Sequence, residues 1–239
     1  MRLRITFSKS GALRYTGHLD LQTIWERTIR RAGLPLAYTQ GFHPGPKLQL
    51  ASALPLGFIG RAEIVDVWLN ESDEAGPAAD EPADARLHRF RDALQPAAPP
   101  GLEIVDLQFV DEHAPALQTQ MAAAEYEVTL LDPLDEADLS KRLIALLESP
   151  SIMRERRGKQ YDLRPLIEEL ELTNPLLSLR GALPPPLLAG EEGGVRIHMR
   201  LAAREGATGR PEEVLAALDI PSDIARVERT RLISKADIQ

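Results

Sequence analysis

Arg14-Tyr15-Thr16-Gly17-His18-Leu19-Asp20 and Gln40-Gly41-Phe42-His43-Pro44-Gly45-Pro46-Lys47 are two polar turns, and the segment between them decides how the first half of the chain folds. Leu21, Ile24, Trp25, Thr28, Ile29 and Ala32 recur there at helical spacing, while Glu26, Arg27, Arg30 and Arg31 fall elsewhere on the circumference. The helix should stop at Gly33, before Pro35. Thr16 or His18 is expected to cap its start, and Asp20 in the first turn suits the helix dipole.

Around this helix the pattern is that of strands. Upstream, Leu3, Ile5 and Phe7 alternate with Arg2, Arg4 and Thr6, as when one face of a strand meets a core. Downstream, strands are expected near 47–54 and 62–69, a loop over the acidic, proline-containing 70–82, a helix over 84–94 with Leu87, Phe90, Arg91 and Leu94 on one side, and a strand over 102–110. The order is βαββαβ. After a connector, the pattern repeats: a strand through Tyr126, Val128 and Leu130, a helix over 134–147 with Leu139, Leu143, Ile144 and Leu147, and a turn-rich strand region over 151–166. Then follow a strand over 195–203, a helix over 211–218 and a strand over 225–233. The run Pro184-Pro185-Pro186, with Gly190, Gly193 and Gly194 after it, reads as a loop. The expected fold is α+β, two tandem ferredoxin-like units with antiparallel sheets: residues 1–112, a connector over 113–123, and residues 124–239.

Composition limits the chemistry. The chain has no cysteine, which removes disulfides, thiol nucleophiles and any iron–sulfur cluster held in the usual way by this chain, and which suits a reducing cytoplasm. No apolar run approaches the roughly 20 residues needed to cross a bilayer. The net charge is −8, but it is unevenly spread: residues 1–60 are locally basic and residues 61–139 acidic.

His18, His43, Tyr15 and Lys47 are the group types a metal-independent ribonuclease uses as base, acid and cation toward a phosphorane. The same histidines read more readily as a helix cap, His18, and a turn-packing residue, His43. Arg14, His18, Gln40, His43 and Lys47 form a first candidate set for RNA or phosphate, with glycine amides at Gly41 and Gly45 able to cradle an anion. Arg154, Arg156, Arg157, Lys159 and Arg164, interleaved with Tyr161, form a second set that could grip a phosphate backbone while the ring stacks on a base, or could be a solvated charged face. The strand over 195–203 is expected to present Arg196, His198 and Arg200 as a basic outer face.

The series Arg4-Ile5-Thr6-Phe7-Ser8-Lys9, Leu13 to Leu21, Arg30 to Pro44 and Pro46-Lys47 resembles the radical SAM-linked proteins, filed as domain of unknown function 2344. The likeness continues more loosely through Arg157-Gly158-Lys159, Asp162-Leu163-Arg164-Pro165 and Arg229-Thr230-Arg231-Leu232. It implies an accessory role beside a radical SAM enzyme, in RNA handling or substrate presentation, with the iron–sulfur cluster and SAM belonging to the partner and no cofactor bound by this chain. A nuclease and a protein-only scaffold docking through the acidic 70–84 loop are the alternatives.

Overall fold

The structure, a computed structural model, describes residues 1–70, 81–132, 134–173 and 195–238. It is α+β and divides into two compact units, Met1–Met121 and Ala122–Gln239. The loop expected over 70–82 and the proline and glycine run over 184–194 lie largely or wholly outside the described residues.

In the first unit β1 (Arg2–Lys9) leads through a short 3-10 turn to α1 (His18–Arg31), then β2 (Leu48–Leu50), β3 (Ile59–Trp68), α2 (Ala83–Ala97), β4 (Leu102–Val110) and the single turn α3 (Leu117–Gln120). The strands lie in the order β2-β3-β1-β4, each pair antiparallel. Leu3, Ile5 and Phe7 share one face of β1 and pack in one core with Leu21, Trp25 and Ile29 of α1 and Phe90 and Leu94 of α2. The Phe7 and Trp25 rings meet edge to face at 4.9 Å between centroids. α2 runs past its expected end at Leu94 and carries Pro96 in its last turn, while β2 is shorter than expected.

The opposite face of β1 is polar and nonetheless buried. Register sets Arg4 opposite Asp66 and Arg2 opposite Trp68. Asp66, with no exposed surface, accepts from Arg2 Nε (2.9 Å) and Nη2 (2.6 Å) and from Arg4 Nε (2.8 Å) and Nη2 (2.9 Å). Arg2 also donates to the Ala114 and Pro115 carbonyls and lies over the Trp68 ring. These bonds clamp the connector onto the sheet, so both charges are paired and hydrogen-bonded, as burial of charge requires.

In the second unit β5 (Met121–Leu130) is followed by α4 (Glu136–Glu148), a separate hairpin of β6 (Met153–Arg156) and β7 (Lys159–Asp162), then β8 (Ile167–Thr173), β9 (Arg196–Arg204), β10 (Ala207–Thr208), α5 (Pro211–Ala217) and β11 (Ala225–Ser234). β9 pairs with β5, β8 and β10, all antiparallel, and β11 lies beside β5. Asp135 caps α4 by accepting from the Ala137 and Asp138 amides. Its buried stripe is Leu139, Leu143 and Leu146; Ile144, expected inside, is about half exposed. No helix among the described residues is long and apolar enough to cross a membrane.

Candidate functional site

The first candidate set begins at the N-terminus of α1. Gly17 is the N-cap, and its N–H donates to Asp20 Oδ2 at 3.3 Å. Neither expected residue performs the cap: Thr16 Oγ1 donates back to the Leu13 carbonyl at 2.7 Å, and His18 is already inside the first turn. His18 is half-buried, and burial, with the Lys9 ammonium second, holds its pKa below the ordinary 6.5, so the ring is neutral at pH 7. Buried Lys9 donates from Nζ to the Thr16 carbonyl at 2.9 Å, which ties the turn to the end of β1. Arg14 Nη2 donates to the Tyr15 hydroxyl at 2.6 Å, and the Tyr15 side chain is exposed.

The second turn folds on itself. The Thr39 amide donates to the Gly45 carbonyl at 2.8 Å and the Gly45 amide to Thr39 Oγ1 at 3.0 Å, leaving residues 40–44 as an exposed tip that carries Gln40, Phe42 and His43. The Tyr38 hydroxyl donates to Glu26 Oε1 at 3.1 Å, which ties the turn to α1. Lys47 Nζ stands 4.9 Å over the Trp68 ring.

One pocket holding Arg14, His18, His43 and Lys47 was expected, and Lys47 does not join it. Trp68 is paired with Arg2 at one end of β1, whereas Lys9 and the Thr16 turn occupy the other. Eight strand residues at about 3.3 Å each separate those ends by more than 20 Å. The cause is the helix itself, whose 14 residues carry the chain from the first turn to the far end of the sheet. Among the described residues no hydrogen bond joins His18 to Tyr15, His43 or Lys47.

The second set is better assembled. The β6–β7 hairpin closes through Arg157 and Gly158 at φ +51° and +75°, the two successive positive values of a type I′ turn. Register pairs Arg154 with Tyr161 and Arg156 with Lys159, so these four side chains share one face. Asp162 fastens the hairpin base by accepting the Ile152 and Arg164 amides at 2.8 and 3.0 Å, bonds that hold its carboxyl below the usual carboxylate range despite an opposing desolvation effect. Arg156, Arg157 and Lys159 make no ion pair with any described residue. Arg154 Nη2 donates to the Glu213 carbonyl at 3.3 Å while its Nε has no partner.

Arg164 does not belong to this face. Its Nε donates to the Leu147 carbonyl at 3.0 Å and its Nη1 to the Ile167 carbonyl at 3.1 Å, so it closes the C-terminal end of α4 onto β8. The outer face of β9 is likewise not a free basic surface. Arg200 Nε lies 3.2 Å from Glu168 Oε2, and His198 Nδ1 lies 3.7 Å from Glu127 Oε2.

Beside the hairpin opens a cleft of about 370 Å³ whose lining includes Arg156, Tyr161, Asp162, Gly206, Thr208 and Arg210. Thr208 and Arg210 were not among the expected site residues. The signal that could have found them is the glycine-bounded turn Gly206-Ala207-Thr208-Gly209 just before Pro211. Burial, with the Glu213 carboxylate second, pushes the Tyr161 hydroxyl pKa up, so it stays protonated.

These features define an α+β protein with a separate two-stranded hairpin, β6–β7, that carries the unpaired cations Arg156, Arg157 and Lys159. The chain belongs to the family described as "uncharacterized protein conserved in bacteria (DUF2344)", which it matches over residues 2–211. No curated protein matches it. Among solved structures it is similar to a chain of a Cbf5–Nop10–Gar1 complex (TM-score 0.45, 11% identity, covering 96% of this chain and 48% of that one). It is also similar to a chain of an H/ACA RNP bound to a substrate RNA containing 2′-deoxyuridine (TM-score 0.40, 12% identity, 96% and 47%). The chain thus spans about half the length of each.

Proposed function

We propose that this protein binds RNA through the β6–β7 hairpin, as an accessory module that presents RNA to a radical SAM enzyme in the cytoplasm. The observation that carries the RNA reading is the hairpin face itself: Arg154, Arg156 and Lys159 beside Tyr161, with Arg156 and Lys159 unpaired, on a chain of net charge −8. Cations without internal partners release condensed counterions when they meet phosphates, and an aromatic ring among them stacks on bases. The turn around Arg14 and His18 and the exposed tip with His43 supply further, smaller contacts, with Lys47 contributing from its place over Trp68. In this reading each unit is ferredoxin-like. The strand order β2-β3-β1-β4 supports that in the first unit, and β8-β9-β5-β11 with an inserted hairpin supports it in the second.

The radical SAM partnership rests on the family resemblance of the sequence, and a chain without cysteine leaves the cluster to the partner. Binding of fluorescent bulk tRNA and rRNA, followed by anisotropy across a salt series, tests the RNA reading. Three or four phosphate contacts on single-stranded segments give a log–log slope of about −2 to −3. Arg156→Ala/Lys159→Ala should lower the slope by about 1.4. Undetectable binding, a flat salt dependence or an unchanged double variant would sink the proposal. Failure of a tagged protein to co-purify any radical SAM protein would remove the partnership and leave RNA binding standing.

A further inference from the structure

The cleft between the hairpin and the 206–210 turn has its own geometry, and it is narrower than a general phosphate surface. Its volume of about 370 Å³ is at the small end of the ~300–1,000 Å³ usual for ligand pockets. A duplex is too broad to enter it, while one nucleotide is of a size to fill it. Arg156 arrives from β6 and Arg210 from the residue before α5, so two cations line it from different elements. Both are half-buried, which strengthens their attraction for an anion over that of fully solvated arginines; Arg210 Nη1 also stands 3.9 Å from Glu212 Oε1, a loose pair that a phosphate in the cleft would compete with. The single carboxylate of the lining, Asp162, has Oδ1 occupied by two backbone amides. Thr208 adds a hydroxyl, and Gly206, at φ +75° with open space where a Cβ would stand, lets a ligand approach the backbone.

We infer that this cleft takes one unpaired nucleotide of an RNA strand, its phosphate held between Arg156 and Arg210 and its base laid against the Tyr161 ring. The inference rests on the RNA reading above and adds which state of RNA is selected. A paired base has both faces covered by its neighbours in the stack, so it cannot also lie on Tyr161. An unpaired base has a face free. The protein therefore discriminates single strands, loops and ends from continuous helix through this one site, while Lys159 and Arg157 on the open hairpin serve either.

Anisotropy with a labelled 12-nucleotide RNA without internal pairing, against the same sequence annealed to its complement, decides it. The single strand should bind at least ten times more tightly. Tyr161→Leu should weaken single-strand binding by roughly 5- to 100-fold, as loss of one stacked base does at a tenfold per 1.4 kcal/mol. Tyr161→Phe should keep the affinity, and Arg210→Met should lower the salt slope by about 0.7. Equal binding of duplex and single strand, or a Tyr161→Leu protein that is folded by circular dichroism and binds as wild type, overturns the cleft assignment and leaves RNA binding intact. If Tyr161→Leu does not fold, an unchanged slope in Arg210→Met overturns the assignment instead. Binding of neither RNA form by the wild type overturns both readings.

Discussion

Asp66→Ala is the perturbation that most directly tests how the first unit is held together. The substitution removes the acceptor of four charge-assisted hydrogen bonds from Arg2 and Arg4. The two arginines do not suffer equally. Arg4, with a side chain 13% exposed, can turn toward water, whereas Arg2, 1% exposed, cannot. Arg2 keeps its bonds to the Ala114 and Pro115 carbonyls and its place over Trp68, so part of its charge remains solvated by the protein. Breaking a buried pair costs about 3–5 kcal/mol, and one stranded, partly compensated guanidinium sets the value near 3 kcal/mol. With a urea m-value of about 2 kcal/mol/M, the midpoint should fall by about 1.5 M. The assay isolates the right half of the molecule, because the only tryptophans, Trp25 and Trp68, both lie in the first unit. Arg2→Met/Arg4→Met/Asp66→Leu should recover more than half of the loss, since replacing all the charges by apolar groups removes the stranded cation. The two carbonyls that lose donors keep the recovery incomplete. A midpoint shift under about 0.5 M for Asp66→Ala, or a triple variant no more stable than the single one, would refute the account.

Further outcomes follow from the second unit and the loops. The Glu127 carboxylate raises His198 above its ordinary pKa against the effect of burial. Burial raises Glu127, but His198 and Thr173 outweigh it and leave that carboxyl lowered. The His198 contribution is therefore full below about pH 6.5 and lost as pH rises through the raised pKa. The Glu127 contribution is present above about pH 4.5 and lost as pH falls through the lowered one. Thermal midpoints across pH should show the second unit losing stability above pH 6.5, and Glu127→Gln should flatten that loss; an unchanged profile counts against the pair. Arg164→Met should lower stability by about 1–3 kcal/mol by freeing the Leu147 and Ile167 carbonyls, yet leave the salt slope of RNA binding unaltered, and a changed slope would return Arg164 to the binding face. Gly101→Ala should destabilise the first unit by at least about 1 kcal/mol, because its φ is +88° and a Cβ would come within 2.5 Å of the Ser10 carbonyl oxygen. Calorimetry showing no change would contradict the tight Ser10–Gly101 contact.

Much of the architecture was legible because it rests on periodicity, and the errors fall where periodicity breaks. β1, α1 and β4 follow their apolar spacing to within a residue or two. β8 was hidden because a register shift between Ile167 and Glu169 puts its buried residues, Ile167 and Leu170, three apart instead of two. The basic alternation of β9 was real as sequence, but glutamates on β5 and β8 face it, and cross-strand partners cannot be read along one strand. Arg2 looked like an ordinary solvent-side strand residue until Asp66, 64 positions away, met it across the sheet. Lys47 was misjudged because closeness in sequence to His43 was read as closeness in space to His18.

The corrections move the centre of the molecule's chemistry without moving its place in the chain plan. In the first unit the turn with Gln40, Phe42, His43 and Lys47 lies between α1 and β2. In the second unit the hairpin with Arg154, Arg156, Lys159 and Tyr161 lies between α4 and β8, the strand that, like β2, pairs at the outer side of its sheet. The same connection, helix to lateral strand, has thus been loaded twice with exposed cations and aromatic rings. A core imposes no such composition on a loop, because neither connection contributes those side chains to the apolar interior. The first copy keeps Phe42 fully in solvent at its tip, while the second stands against the 206–210 turn, with which it lines a cleft. On the RNA reading this difference divides the labour. The first turn adds phosphate contacts that any RNA can satisfy, and the second selects. Deleting residues 40–44 should therefore weaken single-strand and duplex binding by the same factor, whereas Tyr161→Leu should act on single strands alone. A tip deletion that abolished the preference for single strands would reverse the assignment of the two loops.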